Sequence, residues 1–321
     1  MNARTVWAAP RRAVAWSWEH APKLAAVVGI AALALEWTVR DGVAPLAVFY
    51  YALPMPVVAA ALLVGLALAL VRERRVELIA CGVLLAACIA THRTTAFVTA
   101  APPRTESARS LRGLLWNTWR ARPGLAAMIR EIRLQDPDLF VLVEPPVDAE
   151  RNPLVRLREL MPEYRFGFFG RRFVIAARGQ VGAPTDRPFD GGSAATVTLT
   201  IDDTEVRLLC VDVGSSPMRG RRGPLRQIAE LAAPLAAVPA LVLGDFNTPR
   251  RSVHFQSIRS SWAHAFEAAG NGYDATWPEP FPVFSIDHVW GSAGLTFTDC
   301  RIVPTKLSDH RLVVFDFIPR Q

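Results

Sequence analysis

Three apolar runs occupy the first hundred positions, and beyond them hydrophobic stretches alternate between helical and strand periods. Residues 24–39, 43–71 and 76–91 are almost continuous in apolar side chains. Pro54 and Pro56 interrupt the second run, and the acids Glu36 and Glu77 fall near the ends of the first and third. Each run approaches the roughly 17–25 residues a helix needs to cross a hydrocarbon core, so the pattern predicts three short, Ala-rich membrane helices. A buried helical bundle shares this pattern, whereas a single cleavable signal does not account for three runs.

After residue 110 the pattern changes. LRGLLWNTW predicts a strand, PGLAAMIREIRLQ a helix with Pro123 in its first turn, and DLFVLVE a buried strand, which together make a βαβ-like opening. FGFFGRRFVIAAR, ATVTLTI and EVRLLCVDV predict successive strands, GPLRQIAELAAPLAAV a helix, and ALVLGD another buried strand. IDHVWGS, LTFTDCRIV and LVVFDFI close the chain as β segments. Hairpins mixed with βαβ connections predict an α/β (α+β) fold, a four-layer sandwich of two mixed β-sheets flanked by helices. The expected organisation is a membrane segment over residues 1–100, a Pro-rich polar linker over 101–110, and one α/β domain over 111–321.

Composition supports two chemically different parts. Of the 321 residues 51% are hydrophobic, yet only fourteen charged side chains lie in the first hundred positions against fifty-one in the rest. The net charge is +7, but residues 101–321 hold 27 Lys and Arg against 24 Asp and Glu. That is a mild bias toward anionic substrates or lipid headgroups, not the footprint of a dedicated nucleic-acid binder. Arg4, Arg11, Arg12 and Lys23 precede the first run, and Arg72, Arg74 and Arg75 follow the second, which predicts that these ends stay in the cytoplasm. Three crossings then place the α/β domain outside, although Arg93, Arg104, Arg109 and Arg112 count against that side. The four cysteines show no zinc-ligand spacing. A Cys210–Cys300 disulfide requires an extracytoplasmic domain, and buried thiols are the commoner use of such residues.

Candidate chemistry collects at strand ends. LVLGDFNTP closes a buried strand with Asp245 and Asn247, two positions apart and therefore on one side of the chain, though an Asx turn capping the next helix would use the same residues. DLFVLVEPP ends in Glu144, where Pro145 and Pro146 stop the strand, and LLWNTW brings Asn117 near the end of another. SIDH supplies Asp287, and LSDH supplies Asp309 and His310 ahead of the last strand. Hard oxygen ligands of this kind suit Mg²⁺ or Mn²⁺.

Asn117, Glu144, Asp245 with Asn247, Asp287 and the Ser308-Asp309-His310 triplet occur in the order and context of the endonuclease/exonuclease/phosphatase superfamily, the fold of pancreatic deoxyribonuclease. Residues 110–319, roughly, resemble it. The resemblance implies that Glu144 is the principal ligand of Mg²⁺ or Mn²⁺, with Asp309 close by, and that Asn117 orients that shell or touches phosphate. It implies that Asp245, held by Asn247, orients or deprotonates the attacking water. His310 would contact the phosphate, with Asp287 fixing its tautomer and favouring its protonated form. His288, adjacent to Asp287 in a strand, is expected to face away, and His254 to lie on a helix behind the site. The tryptophans Trp116, Trp119, Trp262, Trp277 and Trp290 are expected mainly in packing.

One stretch departs from the family. Relatives carry His or Tyr where this chain reads CVDVGSSP, with Asp212 and Gly214 in that place. Three readings stay open: Asp212 replaces the lost group as a proton donor or a metal-side carboxylate, the substrate has a better leaving group, or the site is degenerate. Arg219, Arg221 and Arg222 follow on what reads as a flexible loop and either clamp phosphate or form a solvated surface. The expected function is divalent-metal-dependent hydrolysis of a phosphate ester by a membrane-anchored phosphatase or phosphodiesterase, a lipid-linked phosphate being one candidate substrate. A nuclease using the same site, and a non-catalytic phosphate-binding module, are the alternatives.

Overall fold

A computed structural model describes residues 8–101, 109–119, 124–146 and 153–320. Arg4, Arg104, Pro123 and most of the expected linker lie outside the described residues. The chain divides into two compact units, Met1–Thr95 and Ala96–Gln321.

The first unit is helical: α1 (Ala8–Trp37), α2 (Ala44–Ala52), α3 (Met55–Val71) and α4 (Arg75–Ala96). Two segments, Trp18–Trp37 and Arg75–Ala96, are long and apolar enough to cross a membrane, and the α2–α3 pair, bent by 62°, makes a third if it counts as one span. The bend has a local cause. Pro54 has no N–H with which to continue α2, and it enters α3 in an extended conformation as the N-cap residue. Ala25, Ala32, Leu33, Val58, Leu62, Cys81 and Cys88 pack into this unit's own core.

The second unit begins with the short strand β1 (Phe97–Thr99), followed by β2 (Leu111–Asn117), α5 (Leu125–Gln135), β3 (Leu139–Val143) and α6 (Pro153–Leu160). Next come β4 (Arg165–Phe169), β5 (Phe173–Ala177), β6 (Gln180–Val181), β7 (Thr185–Asp186), β8 (Gly192–Ile201), β9 (Thr204–Val213) and α7 (Arg222–Ala232). β10 (Ala240–Asp245), α8 (Gln256–Arg259), β11 (Ala263–His264), α9 (Ala265–Ala269), β12 (Asn271–Tyr273), β13 (Asp287–Gly291), β14 (Leu295–Val303) and β15 (Leu312–Pro319) complete it.

One sheet has the order β14-β15-β2-β3-β5-β4 and the other β11-β13-β10-β9-β8-β6, with β7 also on β8. Both are mixed. Each contains one parallel pair, β2–β3 or β9–β10, with antiparallel neighbours around it. α5 connects the first parallel pair and α7 the second. The expected α/β sandwich of two mixed sheets flanked by helices is therefore the observed fold. β1 pairs with β12 in a separate two-stranded ribbon, so Phe97–Thr99 joins the second unit.

Side-chain alternation builds the layers. Leu115, Val141, Val143, Leu208, Cys210, Leu241, Leu243, Val289 and Phe315 fill the space between the sheets. Their neighbours in sequence face outward. Trp116, Phe140 and Leu142 pack with Met128 and Ile132 of α5. On the other outer face Leu209, Val211, Val242 and Trp290 pack with Leu225 and Ile228 of α7. Cys210 and Cys300 are separate buried thiols, and no disulfide joins them.

Candidate active site

The same alternation sets where the polar side chains go. Continuing the inward-facing series by two residues leads from Leu115 to Asn117, from Cys210 to Asp212 and from Leu243 to Asp245, while stepping back from Val289 leads to Asp287. β2, β9 and β10 finish at this edge and the antiparallel β13 starts there, with Asp245 in register with both Asp212 and Asp287. An amide and three carboxylates therefore converge at one end of the inter-sheet core.

Asn117 Nδ2 donates to Asp245 Oδ2 at 2.9 Å, and the Asn247 backbone N–H donates to Asp245 Oδ1 at 2.8 Å. Asn247 adopts a left-handed conformation (φ 46°), and its own amide donates to Val213 O at 2.7 Å, so the turn after β10 is held to β9. His310 Nδ1 lies 2.8 Å from Asp287 Oδ2, and Nε2 lies 4.0 Å from Asp245 Oδ2. Ser308 Oγ donates to Asn117 O at 2.8 Å and accepts from the His310 backbone N–H at 3.1 Å. Trp116 Nε1 donates to His310 O at 3.2 Å. These bonds lock the segment before β15 against the end of β2.

Burial shapes the charges. Removal from water raises the Asp245 carboxyl pKa, and the neighbouring Asp287 charge adds to the rise against the pull of His310. Burial pulls His310 down, but Asp287, Asp245 and Asp309 outweigh it and hold the imidazole at about 9, charged at neutral pH. Asp287 Oδ1 is buried without a hydrogen-bond partner among the described residues.

Glu144 and Asp309 arrive by different routes. Glu144 takes a left-handed conformation (φ 48°) directly after β3, fixed by its N–H to Arg172 O at 3.1 Å and by Thr118 Oγ1 donating to its carbonyl at 2.8 Å. Its side chain is half-buried and within electrostatic reach of Asp212. Asp309 Oδ2 accepts from Trp277 Nε1 at 3.0 Å. Among the described residues Asp245, Asp287 and His310 form a group of possible metal ligands whose ligand atoms lie within 4.8 Å of one another. His310 Nδ1 is already engaged by Asp287, which leaves carboxylate oxygens as the principal donors. Crowded carboxylates, one with a raised proton affinity and another with an orphaned oxygen, fit a hard divalent cation.

The Endonuclease/Exonuclease/phosphatase family profile matches residues 114–310, a span that takes in Asn117 and closes on His310. The chain belongs to this family. The endonuclease/exonuclease/phosphatase family comprises nucleases, phosphodiesterases and phosphatases. No curated protein matches the chain. Solved structures with the same fold include an endonuclease/exonuclease/phosphatase from Beutenbergia cavernae DSM 12333, 20% identical over 66% of this chain and 72% of that one, with a TM-score of 0.52. A family protein from Bacteroides thetaiotaomicron is 14% identical over 67% of this chain and 100% of its own, with a TM-score of 0.54. The human Nocturnin catalytic domain with bound sulfate anion is 17% identical over 68% and 99%, with a TM-score of 0.52.

Within the family fold, the Arg-rich stretch differs from a flexible exposed loop. Arg219 and Arg222 are exposed, but Arg221 is buried and donates to Gly214 O at 2.6 Å, and Arg222 opens α7. Arg221 thus braces the turn after β9, because a guanidinium surrounded by protein has to be hydrogen-bonded. His254 lies in a short 3-10 helix, Val253–Phe255. His288 faces the outer layer, where its ring meets Phe246, Phe255 and His264. Two residues near the site make contacts that the sequence alone does not point to. Trp277 holds Asp309, and Arg172, in the turn between β4 and β5, donates to Asp212 Oδ2 at 2.8 Å. Neither carries a local signal, since a Trp beside prolines and an Arg in an Arg-Arg turn are common surface features.

Proposed function

We propose that this protein is a membrane-anchored, divalent-metal-dependent phosphoesterase, a phosphatase or phosphodiesterase, with its α/β domain on the extracytoplasmic side. The carrying observation is the chain of contacts Asn117–Asp245–His310–Asp287, which joins both sheets at one edge. In this reading Glu144 and Asp309, beside the Asp245–Asp287 carboxylates, would hold Mg²⁺ or Mn²⁺, which when bound would offset the charge on the phosphoryl oxygens. Asp245 lies where a carboxylate can accept a proton from water, and Asn117 and Asn247 aim its two oxygens. Asp287 accepts a hydrogen bond from His310 Nδ1–H and so turns Nε2 toward Asp245 and the cleft, where a charged imidazole stabilises a phosphoryl oxygen. The sulfate bound in the Nocturnin catalytic domain supports a tetrahedral oxyanion as the ligand of this fold.

The full-length protein in detergent, assayed with bis(p-nitrophenyl) phosphate, should turn over only with Mg²⁺ or Mn²⁺ and stop on chelation. Asp245→Ala or His310→Ala should lower kcat at least about a thousandfold while circular dichroism is unchanged. Activity within tenfold of wild type in either variant would refute these roles. The substrate class is separated by comparing a polyprenyl pyrophosphate with supercoiled plasmid. The mild positive balance of residues 101–321 favours the former over a nuclease.

A further inference from the structure

Asp212, near the end of β9 at the edge of the site, has its carboxylate already committed. Arg172 Nη1 donates to Asp212 Oδ2 at 2.8 Å, and the side chains differ sharply in exposure: Asp212 is 5% exposed and Arg172 54%. The carboxylate is thus the buried anchor and the guanidinium the part that reaches solvent. Asp212 lies in register with Asp245 and within electrostatic reach of Glu144 and His310, so the pair borders the cleft. Arg172 is also tied to the metal side of the site through its backbone carbonyl, which accepts the Glu144 N–H at 3.1 Å.

We propose that Arg172, aimed by Asp212, is a phosphate-binding residue that reaches the cleft from the β4–β5 turn. A guanidinium presents five donors in a planar fork, and anchoring one nitrogen on a buried carboxylate leaves the others free to meet phosphoryl oxygens at a fixed angle. Asp212 is then a positioning residue, neither a metal ligand nor a proton donor. A site of this kind grips the phosphoryl group without passing a proton to the departing oxygen. The inference rests on the phosphoesterase reading of the same cleft.

Inorganic phosphate binding to the full-length protein in Mg²⁺, read by calorimetry, tests it without requiring turnover. Arg172→Ala should raise Kd about tenfold or more, the usual scale for a hydrogen bond to a charged group. Guanidinium chloride at millimolar concentration should restore part of the loss, and urea should not. Asp212→Ala should also weaken binding several-fold, and the double variant should be no worse than Arg172→Ala alone. The sign is diagnostic, because merely removing a negative charge beside an anion site would tighten binding. Arg172→Ala within twofold of wild type, tighter binding in Asp212→Ala, or no saturable binding to wild type would each overturn the proposal. If phosphate binds through Arg172 but no phosphoester is hydrolysed, the hydrolase reading fails and this one stands. If hydrolysis proceeds and Arg172→Ala binds phosphate like wild type, the reverse holds.

Discussion

His264 and His288 show how a single proton can be built into the fold. His288 Nε2 lies 2.8 Å from Thr248 O, which only accepts, so Nε2 carries the hydrogen and Nδ1 does not. Nδ1 then accepts from His264 Nε2 at 3.1 Å, and His264 Nδ1 is left buried without a partner among the described residues. A second proton on His288 would face an N–H that is already there. Burial, the dominant cause, lowers His288 to about 4 and pushes His264 well below its ordinary value, with Arg250 and Arg259 adding to both. Folded values below the unfolded one of about 6.5 mean that stability is intact above pH 6.5 and lost as pH falls toward 4. At pH 5 the loss through His288 alone should be on the order of 2 kcal/mol. Thermal melts at pH 7 and pH 5 should show a clear drop in Tm that shrinks in His288→Gln, which keeps a donor toward Thr248. An unchanged pH dependence in that variant would show that the destabilising proton binds elsewhere.

At the scale of elements, β10 delivers the Asp245 carboxylate to the site only because it lies very close to β9. A Cβ at Gly244 would sit 1.8 Å from Val211 O, a backbone atom that cannot swing aside. Gly244→Ala should therefore cost about 3 kcal/mol or more, read from a denaturant midpoint. Gly223, in the first turn of α7 with open space where a methyl group would sit, provides the contrast: Gly223→Ala should be neutral or slightly stabilising. Equal losses at both positions would mean that helix and strand propensity, not the β9–β10 approach, decides. Strands such as β3 and β10 are legible in the sequence because four or five apolar residues end abruptly at Glu-Pro-Pro or Gly-Asp. β1, β11 and β12 are not, since two or three residues carry no period. The site divides in the same way. Asn117, Asp245 and Asp287 sit at strand termini where alternation dictates their side, whereas Arg172 reaches Asp212 only through sheet-to-sheet packing forty residues apart.

For the whole molecule, under the membrane-anchored reading the number of crossings would decide on which side of a membrane the α/β domain lies, and the helical unit bears on that number. Trp37 Nε1, at the end of α1, donates to Thr91 Oγ1 near the end of α4 at 3.2 Å. At the other ends, Arg74 donates to Glu19 O at 3.0 Å, and Cys81 Sγ lies 3.4 Å from Pro22 O. α1 and α4 thus run in the same direction, and the bent α2–α3 pair has to return the chain between them. Were that pair re-entrant, α4 would run opposite to α1, and Arg72, Arg74 and Arg75 would face outward against the positive-inside tendency. Three crossings satisfy both the contacts and the charges, and under the membrane-anchored reading they would leave the chain outside after α4. An alkaline phosphatase reporter fused after residue 321, active only outside the cytoplasm, should therefore be active, and a fluorescent protein that matures only in the cytoplasm should be dark. Replacing Arg72, Arg74 and Arg75 by Glu should reduce the phosphatase signal several-fold by weakening the hold on the α3–α4 loop. A fluorescent, phosphatase-negative fusion at residue 321 of the unaltered chain would place the catalytic cleft in the cytoplasm and remove extracytoplasmic substrates from consideration.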